Sequence, residues 1–132
     1  MKSAFSLLEL IFVIVILGII ASFAIPKFVD TKDSALASTI KRDLNTTISS
    51  VQIYYLFNQR IDKISDAISL NSTNWTIEDL KLTDKNSCLT LEIKTPQSGS
   101  KYIDVIVDTA KTTKICKKIQ DAGLVTVTFE LY

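Results

Sequence analysis

The chain has 132 residues, with 15 lysines and arginines against 14 aspartates and glutamates, no histidine, two cysteines and three glycines. This near-neutral balance carries no electrostatic signature of nucleic-acid binding, and the lack of histidine removes the most common general base and metal ligand. The sequence also has no glycine-rich phosphate loop and no metal-ligand spacing of its cysteines. We therefore predict one small domain with an apolar arm, which is not an enzyme and needs no cofactor or metal.

An almost unbroken apolar run, from Phe5 to Pro26, follows the four residues MKSA and contains one acid, Glu9. At about 1.5 Å per helical residue the run reaches about 30 Å, the thickness of the hydrocarbon core of a bilayer. An ionised carboxylate at the centre of a membrane span costs roughly 2.5 to 3.5 kcal/mol, and such an acid marks a functional site by default. We predict that the run spans a membrane and that Glu9 meets a positive charge.

The order and spacing of residues in this run resemble the N-terminus of the type IV prepilin superfamily, which includes type IV pilins, type II secretion pseudopilins and subunits of DNA-uptake pili. That family has a basic leader, a small residue followed by phenylalanine at the cleavage site, an acid at the fifth position after the cut, and often a glycine and a proline in the helix. The matching residues here are Lys2, Ala4, Phe5, Glu9, Gly18 and Pro26. At the position of Ala4 the family most often has glycine.

The resemblance implies a filament subunit. A prepilin peptidase would cleave between Ala4 and Phe5 and methylate the new amine of Phe5. Glu9 would pair with the N-terminal amine of a neighbouring pilin or pseudopilin subunit and set the axial register, because two charges in an apolar bundle must pair to offset their desolvation. Gly18 and Pro26 would allow the helix to bend.

The implied organisation is a leader over residues 1–4, a transmembrane and polymerisation helix over residues 5–26, and a periplasmic α+β domain over residues 27–132. The chain would cross the bacterial inner membrane once, with its C-terminal domain in the periplasm or in a surface filament. Its partners would be other subunits, the prepilin peptidase and an inner-membrane assembly platform. The filament would serve protein secretion or DNA uptake, without direct contact between this chain and nucleic acid.

Other interpretations of the N-terminus stay open. A secretory signal peptide would be cut after Ala24, although the apolar run is too long for one and carries an acid. A plain membrane anchor explains the length of the run but gives Glu9 no role. The competing functional class is a membrane-anchored periplasmic binding module that does not polymerise.

An amphipathic helix is predicted after Pro26, because apolar side chains recur there at steps of three or four residues as far as Tyr55. Since a proline kinks a helix without always ending it, we predict one helix of about fifty residues, half membrane arm and half domain spine. Three isoleucines between residues 61 and 68 indicate a short helical turn. The segment from Trp75 to Asp84 is predicted to hold another short helix.

The period then changes to two, which is typical of strands with one buried face. This alternation predicts strands over residues 89–94 and 102–107, joined as a hairpin by a turn from Pro96 to Ser100, and a third strand after Leu124. A short helix before the third strand would begin at Thr112 or Thr113 and end at Gly123. Three antiparallel strands on the helical spine predict an α+β fold, and the pilin family likewise packs an antiparallel sheet on a long N-terminal helix.

Cys88 and Cys116 are the two cysteines of the chain. In an oxidising compartment such a pair predicts a disulfide, with two buried free thiols as the alternative. The Asp-Pro-Trp-Gly motif of calcium-binding major pseudopilins is absent, so no calcium site is predicted. Four lysines cluster before the last strand, and we interpret them as a solvated face and not as a contact to DNA. These are Lys111, Lys114, Lys117 and Lys118.

Overall fold

The computed structural model of the protein describes residues 6–131, and at positions 26 and 29 the backbone alone. The chain divides into two units, Met1–Asp33 and Ser34–Tyr132. One helix of 52 residues, α1 (Leu7–Asn58), passes from the first unit into the second. The prediction of one long helix through Pro26 is therefore confirmed.

Within the Ser34–Tyr132 unit, α1 buries one face. The buried apolar side chains of that face follow each other at steps of three or four residues, which is the period of a helix with one stripe turned to a core. They are Ala37, Ile40, Leu44, Ile48 and Val51. This confirms the amphipathic pattern predicted for the spine.

The buried face of α1 packs on a sheet of five antiparallel strands, which are adjacent in the order of the chain. The strands are β1 (Trp75–Ile77), β2 (Lys81–Asp84), β3 (Leu89–Lys94), β4 (Tyr102–Val107) and β5 (Val127–Glu130). A 3-10 turn (Ile64–Asp66) lies between α1 and the sheet, and the short helix α2 (Lys114–Asp121) lies between β4 and β5. The α+β fold of a long helix on an antiparallel sheet is confirmed.

The predicted hairpin is the centre of the sheet. In the ladder between β3 and β4, Leu91 lies opposite Val105 and Ile93 lies opposite Ile103, and all four side chains are buried. Every second residue of β3 is buried, as the period of two requires for a strand with one face on the core.

The short helix predicted between Trp75 and Asp84 is wrong, and so is the count of three strands. This segment forms β1 and β2, paired so that Trp75 lies opposite Asp84. The two strands have only three and four residues, too few to show a period of two in the sequence. Acids such as Glu78 and Asp79 are typical of the first turn of a helix, but here they lie in the turn between the two strands.

The short helix before the last strand is confirmed as α2. Thr113 stands at its N-cap position with an extended backbone, but its side chain makes no capping hydrogen bond. After the helix, Gly123 has φ +92° and donates its N–H to the carbonyl oxygen of Gln120 at 3.1 Å. A glycine takes this left-handed conformation without steric cost, which explains why the helix ends here.

Candidate functional site

Residues 7–25 of the first unit form an exposed apolar surface. The side chains of α1 over residues 7–25 are exposed, for example Leu8 by 79% and Phe23 by 77%, and none of its most apolar 18-residue stretch is buried. Burying one large aliphatic or aromatic side chain is worth about 1.5 to 3 kcal/mol, so water is an unfavourable environment for this surface. By length and composition the segment can cross a membrane.

The start of α1 brings together two polar residues, Ser6 and Glu9. Ser6 Oγ accepts a hydrogen bond from the backbone N–H of Glu9 at 3.2 Å, and the Ser6 carbonyl oxygen accepts one from the N–H of Leu10 at 3.0 Å. This is half of a capping box, in which the N-cap serine satisfies an N–H group of the first turn. An acid in the first turn also lies at the positive end of the helix dipole.

The carboxylate of Glu9 takes no part in that cap. It is exposed and has no hydrogen-bond or ion-pair partner among residues 6–131. Glu9 was predicted as a site residue and Ser6 was not, although the pattern Ser-x-x-Glu before an apolar run is a recognisable helix start. At this site the backbone N–H of Glu9 is hydrogen-bonded, while its carboxylate has no partner among residues 6–131.

Four further residues of the predicted site lie in or before the apolar segment. Ala4 and Phe5 are outside the described residues. A Cβ added at Gly18 would meet no atom within 4 Å, so nothing within the described chain requires a glycine there. Pro26 lies inside α1, and helical backbone continues on both sides of it.

Cys88 and Cys116 are joined in the second unit, with an S–S distance of 2.01 Å and a Cα–Cα distance of 5.1 Å. Both are buried. Cys88 directly precedes β3 and Cys116 lies in α2, so the bond attaches the short helix to the sheet.

A partly buried hydrogen bond ties α1 to the edge of the sheet. The indole N–H of Trp75, a side chain that is fully buried, donates to Asp43 Oδ2 at 3.0 Å. The acid Asp84 is buried, and its carboxylate accepts hydrogen bonds from the backbone N–H groups of Leu89 at 2.8 Å and Asn86 at 3.1 Å. Within residues 6–131 no buried side-chain nitrogen or oxygen lacks a hydrogen-bond partner. These groups stabilise the fold, and the described part of the unit has no unsatisfied buried polar side chain for a ligand.

Ion pairs on the second unit are superficial. Arg60 pairs with Asp62, and this hydrogen bond and the charge of Asp62 raise the pKa of the guanidinium. Lys94 Nζ lies 3.0 Å from Asp104 Oδ2, and the hydrogen bond and negative charge raise the pKa of Lys94 above its ordinary 10.5. In the described part of the chain, no group of three or more Cys, Asp or Glu side chains is placed to hold a metal ion.

The chain is similar over part of its length to a known secretion protein. Over 59 residues, 45% of this chain, the sequence is 39% identical to the type II secretion system core protein G of Klebsiella michiganensis. The match covers 42% of that protein, so the chain spans less than half of its length. No protein-family model matches the chain, and no solved structure matches it significantly. The partial match supports the pilin superfamily that the N-terminal motif indicates.

Proposed function

We propose that this chain is a structural subunit, anchored in the bacterial inner membrane by residues 5–26, that polymerises into a filament of the type II secretion pseudopilus or type IV pilus kind. The observation that carries the proposal is the exposed apolar surface of α1, with one acid in its first turn and a small folded unit after it. The similarity to a type II secretion core protein supports a role in secretion.

The apolar surface fits two environments in succession. In the membrane, lipid covers residues 7–25; in a filament, the same side chains pack against the helices of other copies. Lipid tails are as apolar as leucine, so this exchange depends on close van der Waals packing and on small residues that let helices approach. Gly18, which has open space at its missing Cβ, is such a residue.

In the proposed assembly the prepilin peptidase removes residues 1–4 and leaves a methylated amine on Phe5. The Glu9 carboxylate, free of partners among the described residues, then pairs with that amine on a neighbouring subunit. Because an unpaired charge in an apolar bundle is strongly unfavourable, this pair permits one axial register and disfavours the others. Bending at Gly18 and Pro26 would let the helix adapt to its neighbours. The periplasmic unit would form the outer surface.

The test is to express the full chain in a bacterium that has a prepilin peptidase and a type II secretion machine, and to determine the N-terminal mass of the mature protein. A methylated Phe5 terminus, with filaments of this chain in the sheared fraction under the electron microscope, is the expected result. An Ile25 terminus would identify a secretory signal, and an intact Met1 would identify an uncut anchor. Correct processing without filaments would favour the membrane-anchored binding module.

A further inference from the structure

The Ser34–Tyr132 unit has two chemically different ends, and α2 lies at one of them. Lys41 Nζ, on α1, donates to the carbonyl oxygen of Ala122 at 2.7 Å, just after α2. The disulfide from Cys88 to Cys116 holds α2 to the N-terminal end of β3. This end, which consists of α2 and the residues next to it, is called the lysine end below. It lies beside the part of α1 around residue 41.

The other end, which we call the acidic end, lies beside the C-terminus of α1. The N–H of Ile64 donates to the carbonyl oxygen of Asp79 at 2.7 Å, which joins the 3-10 turn to the turn between β1 and β2. Lys101 Nζ, just before β4, donates to the carbonyl oxygen of Ile61 at 3.4 Å. Along α1, Lys41 and Leu56 are fifteen residue steps apart, which at 1.5 Å per step is about 22 Å.

The lysine end carries positive charges without partners. Lys111, Lys114 and Lys117 are exposed, and none of them has an ion pair among residues 6–131. Lys114 and Lys117 lie at the N-terminus of α2, which is the positive end of the helix dipole. No acid in the first turn of α2 offsets their charge. Cations at that position are unfavourable by about 0.3 to 1 kcal/mol each, and a negatively charged partner relieves this cost.

The acidic end carries the opposite charge. Asp66, Glu78 and Asp79 are exposed and have no ion pair among the described residues. Asp62 at this end already pairs with Arg60, and Lys81 lies opposite Glu92 in the β2–β3 ladder. Lys63 and Lys101 are the other cations there, and the three acids leave this end with a small excess of negative charge.

Each end also exposes apolar side chains. Val125, after α2, is 65% exposed, and at the end of α1 Leu56 and Phe57 are 61% and 81% exposed. An exposed ion pair is worth only about 0 to 1 kcal/mol, so charges alone do not hold two proteins together. Burial of the apolar area next to the charges supplies the remaining free energy of association, and the charges set the orientation of the two copies.

We infer that the partner of the lysine end is a second copy of this chain, docked through its acidic end. The inference rests on the proposed function and deepens it by naming residues of a contact between subunits. A contact between two different patches at opposite ends of one unit is head-to-tail, and such a contact extends a filament when the rotation between copies does not close a ring. Lys114 and Lys117 of one copy lie against Glu78 and Asp79 of the next.

The experiment is a charge swap in the full chain, with filament yield measured in the sheared fraction against total subunit. Lys114→Glu with Lys117→Glu is expected to lower the yield about tenfold, and Glu78→Lys with Asp79→Lys to do the same, because like charges then face each other. All four changes together are expected to restore most of the yield. The matched control is Lys63→Glu with Lys81→Glu at the acidic end. It changes the net charge by the same amount as Lys114→Glu with Lys117→Glu, and it is expected to keep the wild-type filament yield.

A cross-link provides an independent readout. Cells that express Lys117→Cys and Asp79→Cys copies together are expected to give a dimer on a non-reducing gel, and cells that express Lys117→Cys alone are not. Fluorescence of the single tryptophan, Trp75, checks that each variant is folded.

Three results would overturn the inference. The first is wild-type filament yield in both double variants. The second is a low filament yield in the double variants that stays low when all four changes are combined. This result would mean that the lysines bind an anionic lipid surface or DNA. The third is the absence of the mixed dimer from filaments that otherwise form normally. If the wild-type chain is not processed at Phe5 and makes no filaments, the proposed function fails, and the inference fails with it.

Discussion

Ser6 Oγ accepts the backbone N–H of Glu9 at 3.2 Å, and this contact leaves the carboxylate of Glu9 outside the helix cap. The backbone of Glu9 helps to begin α1, while its side chain stays exposed and without a partner among the described residues. The two roles of this residue can therefore be separated by mutation.

We expect Glu9→Gln to abolish polymerisation while leaving membrane insertion and folding unchanged. Glutamine is accepted at the third helical position of a capping box as readily as glutamate, so the start of α1 is retained. The proposed pair with a neighbouring amine loses its negative partner, and breaking a buried ion pair in this way costs about 3 to 5 kcal/mol. The measurement is the sheared filament fraction by immunoblot, with the membrane fraction as the reference.

Ser6→Ala is the matched control for that variant. It removes the cap, at a cost of about 1 kcal/mol in helix stability, and keeps the acid. Filaments should persist in Ser6→Ala and disappear in Glu9→Gln. Wild-type filament yield from Glu9→Gln would refute a register role for the carboxylate.

The disulfide is expected to stabilise the second unit strongly. The bond closes a loop with a sequence separation of 28 residues, for which the chain-entropy relation gives about 3.5 kcal/mol. Cys88→Ala with Cys116→Ala should lower the free energy of unfolding by about that amount, measured by urea unfolding of the detergent-solubilised full chain. The oxidised wild type should also have a mass lower by two hydrogens than the reduced protein, and an unchanged mass would disprove the bond.

The contact between Trp75 and Asp43 gives a second stability prediction. Asp43→Leu removes the acceptor and leaves a buried indole N–H without a partner, which costs about 1 to 3 kcal/mol. Because Trp75 is the one tryptophan of the chain, its fluorescence follows the unfolding directly. Asn45→Leu, an exposed position on the same helix, is the control and should change the midpoint little. Equal midpoints for the two variants would mean that the hydrogen bond contributes nothing.

Periodicity predicted the parts of the fold where it extends over enough residues. The spine of α1 and the strands β3 and β4 show their period over six residues or more, and the structure confirms them. β1 and β2 are too short for this, and β1 contacts α1 through a hydrogen bond between Trp75 and Asp43, 32 residues apart. Sequence patterns within a window cannot reveal such a contact.

The last strand shows a different limit of prediction from periodicity. The alternation after Leu124 predicts one apolar face, yet Val125 is 65% and Val127 36% exposed, while Leu131 is buried. β5 is an edge strand that pairs with β4 over four residues, so the start of the alternating segment lies beyond the core. Periodicity gives the face of a side chain but not the extent of the surface that covers it.

Gly18 offers the sharpest test of the membrane segment itself. Gly18→Ala meets no atom of the described chain within 4 Å, and alanine favours a helix interior by about 1 kcal/mol over glycine. The monomer should therefore insert and fold normally. If the helix must bend or approach a neighbour closely at this position, the added methyl group and the stiffer helix should lower filament yield several-fold. Val15→Ile adds one carbon at an exposed position in the same segment and should keep the yield. Equal yields from Gly18→Ala and Val15→Ile would exclude Gly18 from assembly and leave Pro26 as the remaining candidate for a bend.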